Sequence, residues 1–101
     1  MVFAAKVSEI PEFGKKLVEV GGKKILLVKT KGVVYACEHE CPHQGAPLQG
    51  ALIKEAGKLS CQRHGYRFDL VTGACPEHRE CAPLKVYQLE IRGDEVFVDL
   101  G

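Results

Sequence analysis

The residues that can bind metals crowd into one stretch of this 101-residue chain. All five cysteines and all four histidines fall between Cys37 and Cys81. A stretch of this composition buries little apolar surface of its own, so something other than hydrophobic packing should hold its shape. A bound metal is the simplest explanation, since metal binding can supply folding free energy directly. No other feature constrains the fold as strongly.

Short apolar runs separated by glycine turns flank this stretch on both sides. No window keeps a helical apolar period for three turns, whereas alternation typical of strands is present near the C-terminus. We therefore predict an all-β protein with an antiparallel base built from both chain ends. The predicted strands cover residues 17–20, 25–30, 33–36, 87–91 and 96–98.

Length and charge limit the functional classes. The length suits one domain over residues 1–101, with a metal-binding subdomain at about 37–70. Fourteen basic and thirteen acidic residues give a net charge of +1, which argues against a nucleic acid groove or an anionic membrane surface. No apolar run approaches the roughly 20 residues that span a bilayer.

The N-terminus does not follow the pattern of a signal peptide, so we expect a cytoplasmic protein. Thiols stay reduced in that compartment, which favours metal ligation over disulfides. An odd number of cysteines agrees with this.

Two cysteine–histidine pairs carry the strongest metal-binding signal. Cys41 and His43 form a CxH pair, and Cys61 and His64 form a CxxH pair. Two thiolates and two imidazoles suit zinc or an iron-sulfur centre and exclude hard cations, which prefer oxygen. Glycines close behind both histidines would let the backbone approach a bulky inorganic group.

The sequence CPHQGAPL at 41–48, followed by CQRHGYRFD at 61–69, closely resembles the Rieske iron-sulfur signature. The resemblance extends over nearly the whole chain. It implies an antiparallel Rieske-type fold, with a base β-sandwich or barrel and a small cluster-binding subdomain. It also implies one 2Fe-2S cluster, in which Cys41 and Cys61 hold one iron while His43 and His64 hold the other.

The resemblance implies a function as well. Rieske-type ferredoxins carry single electrons and are not enzymes themselves. The expected donor is an NAD(P)H-dependent flavin reductase, and the expected acceptor is an oxygenase or a similar redox protein. We expect a monomer with no nucleic acid and no membrane partner.

The expected reduction potential lies at the low end of the Rieske range, at about −150 mV. High-potential members carry an extra cysteine in each loop, joined as a disulfide, and a serine that donates a hydrogen bond to the cluster. Those places are occupied here by Ala46, Arg63 and Tyr66. Fewer donors then stabilise the reduced cluster.

A second set of residues repeats the ligand spacing. Cys37 and His39 also form a CxH pair, and Cys75 and His78 also form a CxxH pair. His39 is followed by Glu40 and His78 by Arg79 and Glu80, with no glycine close behind either. We therefore favour Cys41, His43, Cys61 and His64 as the ligands. We expect Cys37 to be a half-buried, small apolar side chain at the end of the strand over 33–36.

Three other functions stay open at this stage. A closed zinc site would make the chain a zinc-stabilised interaction module. A disulfide between Cys75 and Cys81 would fit a redox sensor, provided that their Cα atoms approach within about 7 Å. The chain could also be a small subunit of a larger redox complex.

Overall fold

The computed structural model describes residues 1–40, 47–61, 67–75 and 83–100. Within these ranges the chain forms nine strands in three antiparallel sheets, with two single-turn 3-10 helices at Val7–Glu9 and Leu48–Gly50. The strands are β1 Val2–Lys6, β2 Gly14–Val20, β3 Lys23–Thr30, β4 Val33–Glu38, β5 Lys58–Ser60, β6 Arg67–Asp69, β7 Val86–Tyr87, β8 Leu89–Arg92 and β9 Glu95–Val98.

A meander of β2, β3 and β4 forms most of the largest sheet, and β7 joins its β4 edge. The β2–β3 turn uses Gly21 and Gly22 at φ +58° and +80°, a region that glycine enters without the clash of a Cβ. Strands β2 and β3 pair in unbroken antiparallel register, from Gly14↔Lys29 to Val20↔Lys23. The predicted hairpin is therefore confirmed, and its first strand begins earlier than expected.

The chain ends build a second sheet, in the order β1-β9-β8. The β8–β9 turn contains Arg92-Gly93-Asp94, with Gly93 at φ +61°. Asp94 accepts hydrogen bonds from the Ser8 backbone and hydroxyl, which ties this hairpin to the segment after β1. Strand β1 was not predicted, because its pairing with β9 joins residues almost a full chain length apart.

Strand β3 separates two hydrophobic cores. Ile25 and Leu27 face the core between the two larger sheets, while Leu26 and Val28 face the core of the cysteine-containing region. All four side chains are fully buried. A strand covered on both faces reads as a continuous apolar run because its side chains alternate between two buried sides.

The base and the smaller region agree with the predicted all-β fold. The base consists of the sheets β1-β9-β8 and β2-β3-β4-β7, packed over a shared core. The smaller region contains the two-stranded sheet β5-β6 and the 3-10 turn at Leu48–Gly50. No helix within the described parts of the chain is long and apolar enough to cross a membrane.

Candidate metal centre

Backbone pairing joins the residues on either side of 41–46, the range that contains the first predicted ligand pair, and this paired stretch is called the first root. Glu40 bridges Pro47, and the Leu48 N–H donates to the His39 carbonyl at 2.7 Å. The Glu38 N–H donates to the Lys85 carbonyl at 2.9 Å, which fixes the end of β4. Cys41 and His43 lie within 41–46, outside the described residues. The structure therefore defines the backbone pairing at residues 38–40 and 47–48, on either side of this ligand pair.

The second ligand segment starts from a comparable root. Ser60 and Leu52 exchange two backbone hydrogen bonds of 2.8 and 2.9 Å, and Ser60 pairs with Arg67 across the β5–β6 sheet. Cys61 follows directly and is 2% exposed. His64 lies within 62–66, outside the described residues.

The two roots share one core. Leu48 from the first root and Cys61 from the second belong to the same buried cluster, which rests on Leu26 and Val28 of β3. The packing thus holds the two roots on a common support. The other buried members of this cluster are Cys37, Ala51, Leu59, Phe68, Leu70 and Leu84.

Cys37 is a core residue, more deeply buried than the half-buried position predicted for it. It lies on β4 opposite Leu26 and Val86, with none of its surface exposed. Burial, with a smaller effect from the Glu38 carboxylate, raises the pKa of its thiol to about 12. An apolar surrounding disfavours the thiolate form, in keeping with a structural role for this cysteine.

The second ligand set gains no support. In the described ranges, no three side chains of His, Cys, Asp or Glu come together as a metal site. Cys75 carries a free thiol and is half-buried. Its predicted partners, His78 in one scheme and Cys81 in the other, lie outside the described residues, as do Ala46, Arg63 and Tyr66.

Polar contacts fix the turn that follows β6. One Asp69 carboxylate oxygen accepts the N–H groups of Val71 and Thr72, at 2.8 and 3.3 Å. The Val71 hydrogen bond is the main reason that the pKa of Asp69 is lowered. Gly73 sits at φ +80° and its carbonyl accepts the Leu84 N–H at 2.8 Å. This turn packs so closely on Leu84 that a side chain at position 73 would overlap the Leu84 carbonyl oxygen.

Lys15 links the base to the metal-binding region, a contact that the sequence did not indicate. Its Nζ donates to the carbonyl of Ala51, between the two roots. Partial burial lowers the pKa of Lys15. Lysines are common on exposed strands, so the sequence alone does not distinguish this one from its neighbour Lys16.

His39 shows an unsatisfied polar atom at the root of the first loop. Its Nε2 is buried and has no hydrogen-bond partner in the described structure. Buried polar atoms are rarely left unpaired, because losing water without a replacement costs free energy. An unpaired Nε2 two residues before Cys41 fits a site in which an inorganic group supplies the partner, because Nε2 donates when it carries the proton and sulfide accepts hydrogen bonds.

The chain matches the family model described as Rieske [2Fe-2S] domain over residues 1–88. The chain belongs to the Rieske family. Its cofactor is one Rieske-type 2Fe-2S cluster. The soft donor set read from the sequence, the closed loop roots and the unpaired Nε2 of His39 all fit that group.

Similar proteins divide into short ferredoxins and longer chains. The ferredoxin component of the naphthalene 1,2-dioxygenase system from Pseudomonas aeruginosa is 34% identical, covering 97% of this Rieske chain and 93% of its own length. The ferredoxin of carbazole 1,9a-dioxygenase from Nocardioides aromaticivorans IC177 superposes with a TM-score of 0.84 at 26% identity, covering 96% and 94% of the two chains.

Human apoptosis-inducing factor 3 is 37% identical over 81 residues, or 80% of this Rieske chain. The matched part is 13% of that protein's length. The Rieske unit therefore occurs both as almost an entire small protein and as a minor part of a longer one.

Proposed function

We propose that this Rieske chain is a one-electron carrier that accepts electrons from an NAD(P)H-dependent flavin reductase and passes them to an oxygenase or a similar acceptor. The observation that carries the proposal is the pair of closed loop roots standing on one buried core. A rigid support changes little between oxidation states, which suits a site that moves electrons and forms no bonds to a substrate. The near full-length likeness to two dioxygenase ferredoxins supports the choice of acceptor.

The proposed ligands are Cys41 and Cys61 on one iron and His43 and His64 on the other. When bound, the cluster supplies one-electron chemistry at roughly −150 to +300 mV, because neutral imidazoles replace two anionic thiolates. Residues 37–70 would form the cluster-binding subdomain of a single domain that spans 1–101. Burial of Cys61, at 2% exposure, would keep water away from its sulfur.

The proposed potential is about −150 mV, at the low end of that range. This follows from Ala46, Arg63 and Tyr66, which occupy the places where high-potential members carry the disulfide cysteines and the serine donor. We propose that the carrier acts as a cytoplasmic monomer.

A second arrangement is favoured by the relative in which the matched part is a small fraction of the protein. In that arrangement the Rieske unit is a small component of a larger redox assembly and receives electrons from a neighbouring part of it. The zinc-stabilised module finds no such support, because the family to which the chain belongs binds iron and sulfide.

The test compares two buried cysteines of one core. Cys61→Ala should abolish the cluster, while Cys37→Ala should retain about two irons and two sulfides per chain, with the visible absorption and a reversible one-electron wave. Both changes remove the same atom from the same core, so lost packing alone predicts equal effects. Full iron content in Cys61→Ala would overturn the ligand assignment, and a wild-type protein without iron would overturn the carrier function.

A further variant examines the histidine-bound iron. His64→Cys should keep some cluster but lower its potential, because an anionic ligand replaces a neutral one. An unchanged or higher potential in a loaded protein would contradict the assignment of His64. Transfer is then measured by reducing the wild-type protein with NADH and a flavin reductase, and by following its reoxidation by a dioxygenase terminal component.

A further inference from the structure

The backbone of His39 is held on both sides. The residue before it donates to the Lys85 carbonyl at 2.9 Å, and its own carbonyl accepts the Leu48 N–H at 2.7 Å. The next residue, Glu40, bridges Pro47. The imidazole is therefore carried by a fixed piece of backbone immediately before the loop of Cys41.

One nitrogen of the imidazole is unsatisfied. Nε2 is buried, although the side chain as a whole is half-buried, and it has no partner in the described structure, the neighbouring carboxylates of Glu38 and Glu40 included. Nε2 can donate a hydrogen bond when it carries the proton. Within the described structure that donor has no acceptor.

We propose that His39 donates a hydrogen bond from Nε2 to a sulfur of the 2Fe-2S centre, either a bridging sulfide or a ligand thiolate, and that this bond raises the reduction potential. The proposal rests on the function and ligand set proposed above. In this proposal His39 is a positioning residue and does not ligate iron. The role therefore differs from that of a metal ligand, which the CxH pair of Cys37 and His39 would imply.

The direction of the effect follows from charge. Reduction adds one negative charge to the centre, and much of that charge is spread over the sulfurs. A donor aimed at sulfur stabilises the reduced form more than the oxidised form, so it favours electron uptake. In a chain without the serine donor of high-potential members, a histidine donor would recover part of that effect.

The experiment replaces His39 by Gln or Asn, whose side-chain amides lie at different distances from the backbone. Gln places its Nε2–H₂ group at about the distance of the imidazole Nε2, whereas the amide of Asn ends near the position of Nδ1. The holoprotein is compared with His39→Gln, His39→Asn and His39→Leu by redox titration of its visible spectrum, after iron and sulfide are shown to be two each per chain. Tyr35→Phe, which removes a polar atom from β4, the strand that ends just before His39, is the control.

We expect His39→Gln and Tyr35→Phe to keep the wild-type potential. His39→Asn and His39→Leu should each lower the equilibrium constant for reduction by about ten-fold, which equals about 59 mV for one electron. Resonance Raman spectra provide a second readout. Deuterium exchange should shift the Fe–S stretching bands less in His39→Leu than in the wild type.

Two results would overturn the inference. One is a wild-type potential in fully loaded His39→Asn or His39→Leu, which would place the acceptor of Nε2 away from sulfur. The other is an equal fall in His39→Gln, which would show that the imidazole acts through packing. If His39→Leu does not fold, the comparison of Gln with Asn decides. None of these results bears on Cys61→Ala, so failure of the hydrogen bond and failure of the ligand assignment remain distinguishable.

Discussion

The two sides of strand β3 are built by different means. On the base side, Ile25 and Leu27 pack within a core enclosed by two sheets, in which β2, β3 and β4 pair in continuous register. On the other side, Leu26 and Val28 support two three-residue strands, a 3-10 turn and a set of polar turn contacts. The base follows ordinary strand patterning, while the metal-binding side depends on specific contacts and on its cofactor. Single substitutions on the two sides should therefore have different consequences.

The largest effect is expected at Gly73. Gly73→Ala should destabilise the protein by about 4 kcal/mol, because the new Cβ would overlap the Leu84 carbonyl oxygen and φ is +80°. Gly22→Ala, at the same φ but with no atom near its Cβ, should cost only about 1 kcal/mol. Urea unfolding measures both. Equal losses would mean that backbone strain, and not the close approach to Leu84, limits position 73.

A pair of leucines compares the two cores directly. Leu27→Ala in the base and Leu59→Ala in the metal-binding core each delete a fully buried side chain and should cost about 3 kcal/mol. Leu27→Ala should keep its iron, whereas Leu59→Ala should lose iron faster to a chelator. If both variants lose iron at the same rate below their unfolding midpoints, the two cores behave as one cooperative unit.

Replacing Lys15, which connects the base to the metal-binding region, should cause a smaller loss of stability. Lys15→Met keeps most of the aliphatic stem but removes the donor to the Ala51 carbonyl, so we expect a loss of about 1 kcal/mol. Hydrogen exchange should quicken for amides in 47–61 and remain unchanged in β8 and β9. Lys16→Met, the adjacent position on the same strand, should leave both exchange and stability nearly unchanged.

The smallest effect is expected at Asp94, in the base. The Ser8 hydroxyl, together with the Ser8 backbone N–H, lowers the pKa of Asp94 in the folded state. This contribution to stability is therefore complete above the unfolded value of about 3.9 and is lost as pH falls through the lower folded value.

Urea midpoints of the wild type and Asp94→Asn should differ by the same small amount at pH 7 and pH 5, and the difference should shrink between pH 5 and pH 3 after rapid mixing. Glu19→Gln, at an exposed position on β2, should show no such change. A difference that is the same at pH 5 and pH 3 would assign the effect to the shape of the turn and not to the carboxylate charge.

Local patterns predicted much of the base. Gly21-Gly22 and Gly93-Asp94 mark tight turns, and the apolar run at 25–28 marks a strand, which the structure shows to be covered on both faces. Strand β1 was missed because its pairing with β9 is non-local and its sequence does not alternate. Cys37 was predicted to be half-buried after an apolar run, and the structure buries it fully because β3 and β7 pair on both sides of it.

In the metal-binding region, spacing and residue type indicated the ligands, while the supporting contacts were not predictable. Lys15 and His39 look like ordinary surface lysine and spare histidine in the sequence. Their significance comes from an acceptor at Ala51 and from a buried Nε2, which depend on how distant segments pack. The clash of any side chain at Gly73 with Leu84 is equally a property of the assembled fold.

The amino-acid sequence by itself determined the chemistry of this protein: soft sulfur and nitrogen donors at the spacing of the Rieske family, set between β-forming ends. The tertiary structure decided that Cys37 and Cys61 lie in one core, that the two loop roots share a support, and that His39 presents an unpaired nitrogen within the described residues. The spacing of the ligand residues is a local property, so it can be read from the sequence directly. Burial and the partner of each polar atom depend on contacts between residues far apart in the chain, and only folding brings those residues together.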